Sequence, residues 1–436
     1  MLLGTIYVFA PYTSNFVIGD PVQGQALISS WHKTAGIIIA LTAPFLGAAT
    51  DRMGRRKPLL AVFIAVLALS VVVQWWALPN EQGLPIWALG LAVTASGIAF
   101  VYTEVLHNAM LTRAAPPGVL SRVSGMGLSL GNAASVLLLV FVLVTMALPG
   151  QVDWPFISDA PWFGLDAAAH EPSRVVTLLC AAWLVAFAIP LFLYTPDLTT
   201  TGEKFGDAMR HGVGNVWRTI RRLGDHRNVA LFLVARMLYA DGKTAILIFS
   251  GIYAAGVMGW GLIEMLAYGI ILSIFAVAGG FVSGWLDHAV GAKRAVVIEI
   301  GITFLCLIAM VSMSPDSVLF FITVDPGAMV WDGPLFTTAP ELGYMGFAIV
   351  IAIAITAAYG SSRALMAQLA PRGMEGEIFG LYALSGSATA WLGPLLVEHF
   401  TSAYVSQRVG FGSIAILLVA GFGLLLFVKP PPRVEA

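Results

Sequence analysis

The stretch GAATDRMGRRK, residues 47–57, joins two long apolar runs and combines a glycine-rich helix end, an acidic residue and a basic turn. A looser copy, GFVSGWLDHAVGAKR at residues 280–294, keeps the glycine, the aspartate and two basic residues between two further apolar runs. A membrane chain that repeats such a loop in both halves is typical of transporters whose two halves are internal repeats.

The composition is that of a protein solvated mainly by lipid. Hydrophobic residues make up 58% of the 436 residues and charged residues only 11%, whereas a soluble domain averages about 25% charged. With roughly 20 residues per span, the chain accommodates about twelve helices. No charged segment precedes the first apolar run and no small-residue cleavage site follows it, so no removable signal peptide is expected. Cys180 and Cys306 lie in separate apolar runs and indicate neither a disulfide framework nor a metal site.

The apolar runs predict an all-α membrane protein with twelve transmembrane helices in two pseudo-symmetric six-helix halves. Residues 1–195 form the predicted N-terminal half, 196–228 a cytoplasmic linker and 229–436 the C-terminal half. The predicted spans are 2–19, 28–50, 58–78, 85–110, 124–148, 175–194, 229–257, 263–286, 294–313, 342–368, 377–399 and 409–428.

The loops alternate in charge. Most of the 23 basic residues fall on one side, including six in the linker, whereas loops 150–173 and 314–341 contain acidic residues and only one histidine. Because positively charged loops stay in the cytoplasm, both termini are predicted to be cytoplasmic in a multi-pass plasma (inner) membrane protein.

An internal duplication supports the two halves. The segment 109–118 aligns without gaps on 364–373, and the match continues through Gly131 and Gly386. Parallel repeats of six helices place a substrate site at their interface.

The loop at 47–57 resembles the second-to-third helix loop of the major facilitator superfamily, G-x-x-x-D-R-x-G-R-R. Three further regions are similar to bacterial permeases related to the autophagy-related vacuolar effluxers. They are 106–111 with 115–117 and 121–125, 239–242 with 251–256, and 379–386 with 393–394. The resemblance implies the twelve-helix fold and solute export, with amino acids as an implied substrate class.

Two departures from the family pattern matter. The usual first-helix stretch of Tyr-Asp-Trp-Ala-Asn type is missing, so either the start codon is assigned late or this member has a shortened first helix. The antiporter-type Gly-Pro signature is absent from the fifth span, where Gly131 and Asn132 stand instead. Its absence weakens a simple drug:proton antiport hypothesis.

The predicted seventh span holds the strongest site candidates: Arg236, Asp241 and Lys243, with Tyr239 as a cavity-lining candidate. An ionisable side chain in a span is costly unless it faces the bundle interior or finds a partner. Gly242 is expected to let this helix unwind and expose carbonyl groups. A substrate or proton site centred on Asp241 and an internal charge pair that only locks helices are both consistent with this pattern.

Weaker candidates lie elsewhere. Glu104, His107 and Asn108 share one face of the fourth span and could pass a proton; solvation by cytoplasmic water explains them equally well. Glu299 is expected to be a structural partner of nearby basic residues.

The two repeated loops are interpreted as gates. The gate residues are Asp51, Arg52, Arg55, Arg56, Asp287, Lys293 and Arg294. Asp51 is expected to approach the start of the eleventh helix, near 377–380, and Asp287 the start of the fifth, near 122–125. A carboxylate is stabilised at a helix N-terminus.

Other chemistry finds no support in the sequence. No phosphate-binding loop of the G-x-x-x-x-G-K-[ST] type is present, and the histidines and cysteines form no metal spacing. We therefore predict a non-enzymatic, cofactor-free secondary active transporter, with a small polar solute, protons and the lipid bilayer as partners. It is expected to be a monomer and to bind no nucleic acid. The alternative is a membrane assembly or receptor protein that uses the same fold without transport.

Overall fold

The structure, a computed structural model, describes residues 2–53, 55–114, 120–152, 154–197 and 226–429, with gaps at 371–377, 379–380 and 383; residues 221 and 224 are also described. Some side chains within the helices lie outside this description, including those of Asp51, Arg52 and Asn108. Most of the predicted linker, 196–228, also lies outside it.

The described chain is almost entirely helical and apolar. Eight of its helices are long and apolar enough to cross a membrane. The first helical stretch, α1, consists of Leu2–Gly4, Thr5–Phe9, Ala10–Tyr12 and Thr13–Val17. The next five helices are α2 (Pro21–Met53), α3 (Lys57–Val73), α4 (Ile86–Ala114), α5 (Leu120–Val142) and α6 (Glu171–Tyr194). The second set is α7 (Arg227–Val257), α8 (Leu262–Val290), α9 (Ala292–Val311), α10 (Ala339–Leu369), α11 (Leu392–Tyr404) and α12 (Gln407–Gly412 with Ala415–Phe427). Within the described residues, twelve helices in two sets of six confirm the predicted fold class.

The chain divides into two compact units, Met1–Arg221 and Arg222–Ala436. In the first unit, α1 contains two π-helical segments, Thr5–Phe9 and Thr13–Val17. The Tyr12 hydroxyl donates to the Ala77 carbonyl at 2.8 Å and ties α1 to the segment that follows α3. The start of α3 is capped by Asp197, which follows α6, since the Arg56 and Lys57 amides both donate to its carboxylate at 3.0 Å. Free amides at a helix start require such an acceptor.

In the second unit, α8 and α9 pack against α10, and α12 packs against α7. Gly421 permits the last contact, because an added Cβ would lie 2.8 Å from the Tyr239 amide nitrogen and 3.0 Å from the Ala235 carbonyl oxygen. The loop between α9 and α10 contains a short antiparallel hairpin of β1 (Ser317–Val318) and β2 (Ile322–Thr323). It then enters α10 through a capping box between Thr338 and Glu341.

Two local predictions are wrong. Helix α7 does not unwind at Gly242 but continues through it, and this glycine instead packs against Leu418 of α12. The predicted unbroken span 377–399 is interrupted: residues 386–391 form turns, and α11 begins only at Leu392. The amides of Ala390 and Leu392 reach carbonyls three residues back, as in a tight turn. The irregular segment therefore lies in the eleventh span rather than the seventh.

Candidate functional site

Three charged side chains of α7 are buried within the second unit. Asp241 is 2% exposed, Lys243 is 1% exposed, and Arg236 is also buried. Because isolated buried charges are strongly disfavoured, the contacts of each side chain show what stabilises it.

Arg236 holds the end of the helical segment that precedes the interruption. One guanidinium nitrogen, Nη1, donates to the Tyr382 carbonyl and to the Ser385 hydroxyl, both at 2.6 Å. The guanidinium also lies 3.6 Å from the centre of the Tyr382 ring, a cation–π arrangement. Carbonyl groups at a helix C-terminus carry partial negative charge, so a cation is the favourable partner there.

Asp241 holds the start of the helix after the interruption. Its Oδ2 accepts from the Gly393 amide at 2.8 Å. An added Cβ on Gly393 would lie 2.8 Å from the Ala245 Cβ, so only glycine permits this close approach. A carboxylate at a helix N-terminus is the complementary arrangement to the cation at the other end.

Helix α7 thus supplies opposite charges to the two ends of the interrupted helix. A third contact links the interruption itself to α7, since the Thr389 hydroxyl donates to the Met237 carbonyl at 2.8 Å. Residues 386–391 themselves are half-buried. The arrangement stabilises a backbone segment that forms turns instead of a regular helix.

Lys243 and Tyr239 face α10. The Lys243 ammonium lies 3.9 Å from the ring centre of Tyr359 and 5.5 Å from that of Tyr239. The Tyr239 hydroxyl is 2.9 Å from the Ser362 Oγ. Arg236 interacts electrostatically with both of these residues, whereas Asp241 contacts α11.

Glu299 lies in α9 and is 2% exposed. Its Oε1 accepts from the Ser361 hydroxyl of α10 at 2.8 Å. Electrostatic coupling to Lys243 agrees with the expectation that Glu299 partners a basic residue. Coupling to Asp287 of α8, which has the opposite sign, was not anticipated.

The remaining predicted residues are distributed more widely. On α4, Glu104 and His107 are exposed, and the Asn108 side chain lies outside the described residues. In the first repeated loop, Arg55 is exposed and Arg56 is buried, while the side chains of Asp51 and Arg52 lie outside the description.

In the second repeated loop, Lys293 Nζ donates to the Leu426 carbonyl at 3.0 Å and Arg294 is exposed. Asp287 is half-buried and interacts with the Ser361 hydroxyl group. The expected approaches of Asp51 and Asp287 to helix starts in the opposite halves stay predictions.

Several partners were missed from the sequence: Ser361, Ser385, Asp197 and Ser283. Serine is common in apolar spans and usually bonds its own helix, so a serine alone gives no signal. Asp197 could have been identified from the sequence, since an acidic residue just after a span is able to cap a neighbouring helix. Within the described chain, no group of three His, Cys, Asp or Glu side chains could hold a metal ion.

The fold is that of a multi-pass membrane protein, and its relatives are described as transporters of the major facilitator type. The family model described as "Vacuole effluxer Atg22 like" matches residues 117–431, and the chain belongs to this family. An uncharacterized MFS-type transporter, YxiO of Bacillus subtilis (strain 168), is 22% identical over 406 residues, which cover 93% of this chain and 85% of the relative. Autophagy-related protein 22 of Yarrowia lipolytica is 22% identical over 360 residues, which cover 77% of this chain and 55% of the fungal protein. The chain therefore spans about half the length of that fungal relative.

Solved structures agree on the fold. A mutant of the nucleoside transporter NupG has a TM-score of 0.62 at 13% identity, covering 98% of this chain and 96% of that chain. The xylose transporter XylE from E. coli, in a partially occluded inward-open conformation, has a TM-score of 0.62 at 14% identity, covering 100% and 96%. Similarity at this identity shows the shared fold and leaves the substrate open.

Proposed function

We propose that this protein is a secondary active transporter that exports a small polar solute, with amino acids as the substrate class, by alternating access. The observation that carries the proposal is the interrupted helix at 386–391, whose ends are held by Arg236 and Asp241. Interrupted helices near the membrane midplane are the usual place where transporters bind substrates and coupling ions.

Energetics favours a transport role over a passive scaffold. A regular eleventh span would satisfy its own backbone groups and would need no buried ions from α7. Burying two ions costs several kcal/mol in general, which excellent geometry offsets but rarely exceeds. A protein that only assembles or docks partners gains nothing from this arrangement, whereas a transporter gains an irregular polar segment within its bundle.

The half-buried segment 386–391 suits a zwitterion. The backbone amides of this segment would bind a carboxylate, and its carbonyl groups would bind an ammonium group. The family description as effluxers supports export as the direction. Protons are the proposed coupling ion, and a monomer in the plasma membrane with cytoplasmic termini is the proposed state. Enzymatic activity, a cofactor and nucleic-acid binding form no part of this proposal.

The test is transport by the purified full chain in proteoliposomes. Labelled amino acids and a wider metabolite set are offered with and without a pH gradient, and internal and external label are followed with time. We expect gradient-dependent flux of at least one small polar solute. Asp241→Asn should abolish accumulation or remove its pH dependence while membrane insertion stays intact.

The matched control is Asp316→Asn, which removes a carboxylate from the loop between α9 and α10; this variant should transport normally. Absence of flux for every solute, with the wild-type protein correctly folded and inserted, would overturn the proposal and favour the non-transporting assembly or receptor role. Normal transport by Asp241→Asn would show that this carboxylate is structural only.

A further inference from the structure

Three helices of the second unit bring two carboxyl groups to one hydroxyl group. Glu299 on α9 accepts a hydrogen bond from Ser361 on α10 at 2.8 Å. Asp287, near the end of α8, lies close enough to the same serine to interact with its hydroxyl group. Ser283, one turn before Asp287, places its Oγ 3.2 Å from the Ser361 Oγ.

The hydrogen-bond count of this cluster is one proton short. A hydroxyl group donates one hydrogen bond at a time, whereas two ionised carboxylates donate none. Glu299 Oε2 and Asp287 Oδ1 are both buried, and neither has a hydrogen-bond partner among the described residues. Adding one proton to either carboxyl group supplies a second donor beside the Ser361 hydroxyl and removes one of two like charges from the cluster.

The surrounding charges allow that proton to leave again. Lys243 on α7 acts on Glu299 with positive charge, and Asp287 acts on it with negative charge. Arg236 of α7 acts on Lys243, and the neutral Tyr239 is also coupled to Glu299. A carboxyl group between an ammonium and a second carboxylate is therefore able to exist in both protonation states.

We propose that Asp287, Ser361 and Glu299 form a proton-binding site that holds one proton between two carboxylates. The site's use for coupling rests on the proposed transport function. Asp287 is half-buried at the loop end of α8 and forms the entrance, whereas Glu299 is the inner acceptor. In the transfer step, the Asp287 carboxyl gives its proton to Ser361 Oγ while the Ser361 hydroxyl proton moves to Glu299. One O–H bond breaks on Asp287, one forms on Glu299, and the hydroxyl group is regenerated.

The site itself is tested without any solute, with the proton as the ligand. Infrared spectra of the full chain in lipid nanodiscs are recorded across a pH titration in H₂O and D₂O. A protonated carboxyl group gives a carbonyl stretching band that is distinct from that of a carboxylate and shifts in D₂O. We expect such a band to titrate in the wild type and to be lost in the Glu299→Gln/Asp287→Asn double variant.

Two further variants sharpen the result. Ser361→Ala should change the band frequency, because the bridging donor is gone. The matched control Glu264→Gln removes a carboxylate of α8 that caps the opposite end of the same helix, and should leave the band unchanged. A band that is identical in the wild type and in the double variant overturns the proposal.

Coupling is read separately in proteoliposomes. Glu299→Gln should retain solute exchange between the two sides but lose accumulation driven by a pH gradient. Undiminished pH-driven accumulation in this variant overturns the coupling role. Absence of any flux in the wild type instead counts against the proposed transport function, and the infrared result still decides whether the proton site exists.

Discussion

The contact between Asp241 and the start of α11 allows the capping role of this carboxylate to be separated from a role in transport. Asp241→Ala removes the acceptor of the Gly393 amide, whereas Asp241→Asn keeps an oxygen at the same position and removes only the charge. The two substitutions therefore change the hydrogen bond and the charge separately.

The magnitude follows from the groups left behind. In Asp241→Ala, the buried Gly393 amide loses its partner, which costs about 1–3 kcal/mol, and α11 loses its cap, typically worth ~1 kcal/mol. Part of this cost is offset because a buried carboxylate no longer needs to be desolvated. We expect a net loss of about 2–3 kcal/mol in the local stability of α11, and less than ~1 kcal/mol for Asp241→Asn.

The assay is amide hydrogen exchange measured by mass spectrometry on the protein in nanodiscs, read over the peptides that cover Leu392–Tyr404. A loss of 2–3 kcal/mol corresponds to about 30- to 150-fold faster exchange. Peptides from α8 and α9 serve as internal references, and Asp316→Ala controls for removal of a loop carboxylate. The same variants are then compared in the transport assay.

The outcome distinguishes the two hypotheses for Asp241. If Asp241→Asn exchanges like the wild type but fails to transport, the charge itself is needed for function. If Asp241→Ala shows wild-type exchange over α11, the capping argument is refuted. If Asp241→Asn both exchanges and transports normally, the carboxylate serves only to hold the interrupted helix.

Three further predictions concern packing, pH and capping. Gly421→Ala should destabilise the protein by about 1–3 kcal/mol, because the new Cβ meets the Tyr239 backbone; the measurement is chemical unfolding followed by tryptophan fluorescence. The control Gly423→Ala should be neutral, because its Cβ meets no described atom within 4 Å. Equal effects of the two substitutions would refute the packing argument. Burial lowers the pKa of His170, which lies outside the spans. Because the unfolded chain therefore binds more protons than the folded one, the free energy of unfolding should fall as pH drops below about 6.5. An equally steep decline in His170→Gln would contradict this assignment. Asp197→Ala uncaps α3 and should cost about 0.5–2 kcal/mol in the same unfolding assay; an unchanged midpoint would show that solvent replaces the cap.

The sequence predicted the helices well because membrane insertion is governed by simple rules. A span requires roughly 20 apolar residues, and every backbone group must be satisfied within the helix. The observed helices begin and end within a few residues of most predicted spans; α6, for example, covers Glu171–Tyr194 against a prediction of 175–194. The repeated loop and the 109–118 duplication further indicated two sets of six helices, which the structure contains.

The site was predicted only in part. Arg236, Asp241 and Lys243 were identified because charges in an apolar run are costly wherever they point. Their partners depend on which helix packs against which face of α7, and this information is not contained in the seventh span alone. The expectation that Gly242 would unwind α7 failed because this glycine provides room for Leu418 instead.

The interruption of the eleventh helix could not be predicted from the internal duplication. Gly131 and Gly386 occupy equivalent positions in the two repeats, yet the chain is α-helical at Gly131 and forms a turn at Gly386. Both segments are rich in small residues, so their local propensities are similar. The difference is tertiary, since α7 offers a cation and an anion to the two ends of the turn in the second half.

This asymmetry separates two groups of charged residues in the C-terminal half. The charges of Arg236 and Asp241 are used by the ends of the interrupted helix, so moving either ion requires that helix to rearrange with it. Glu299 and Asp287 retain buried oxygens without partners in the described chain and are therefore able to change protonation state while the backbone stays in place. A transporter needs both kinds of element: a backbone segment that changes shape around its solute, and a titratable group whose charge favours one shape over the other. Lys243 is electrostatically coupled to Glu299 and shares α7 with Asp241, so we expect Glu299→Gln to alter amide exchange over α11 if α7 connects the two clusters, and to leave it unchanged if it does not.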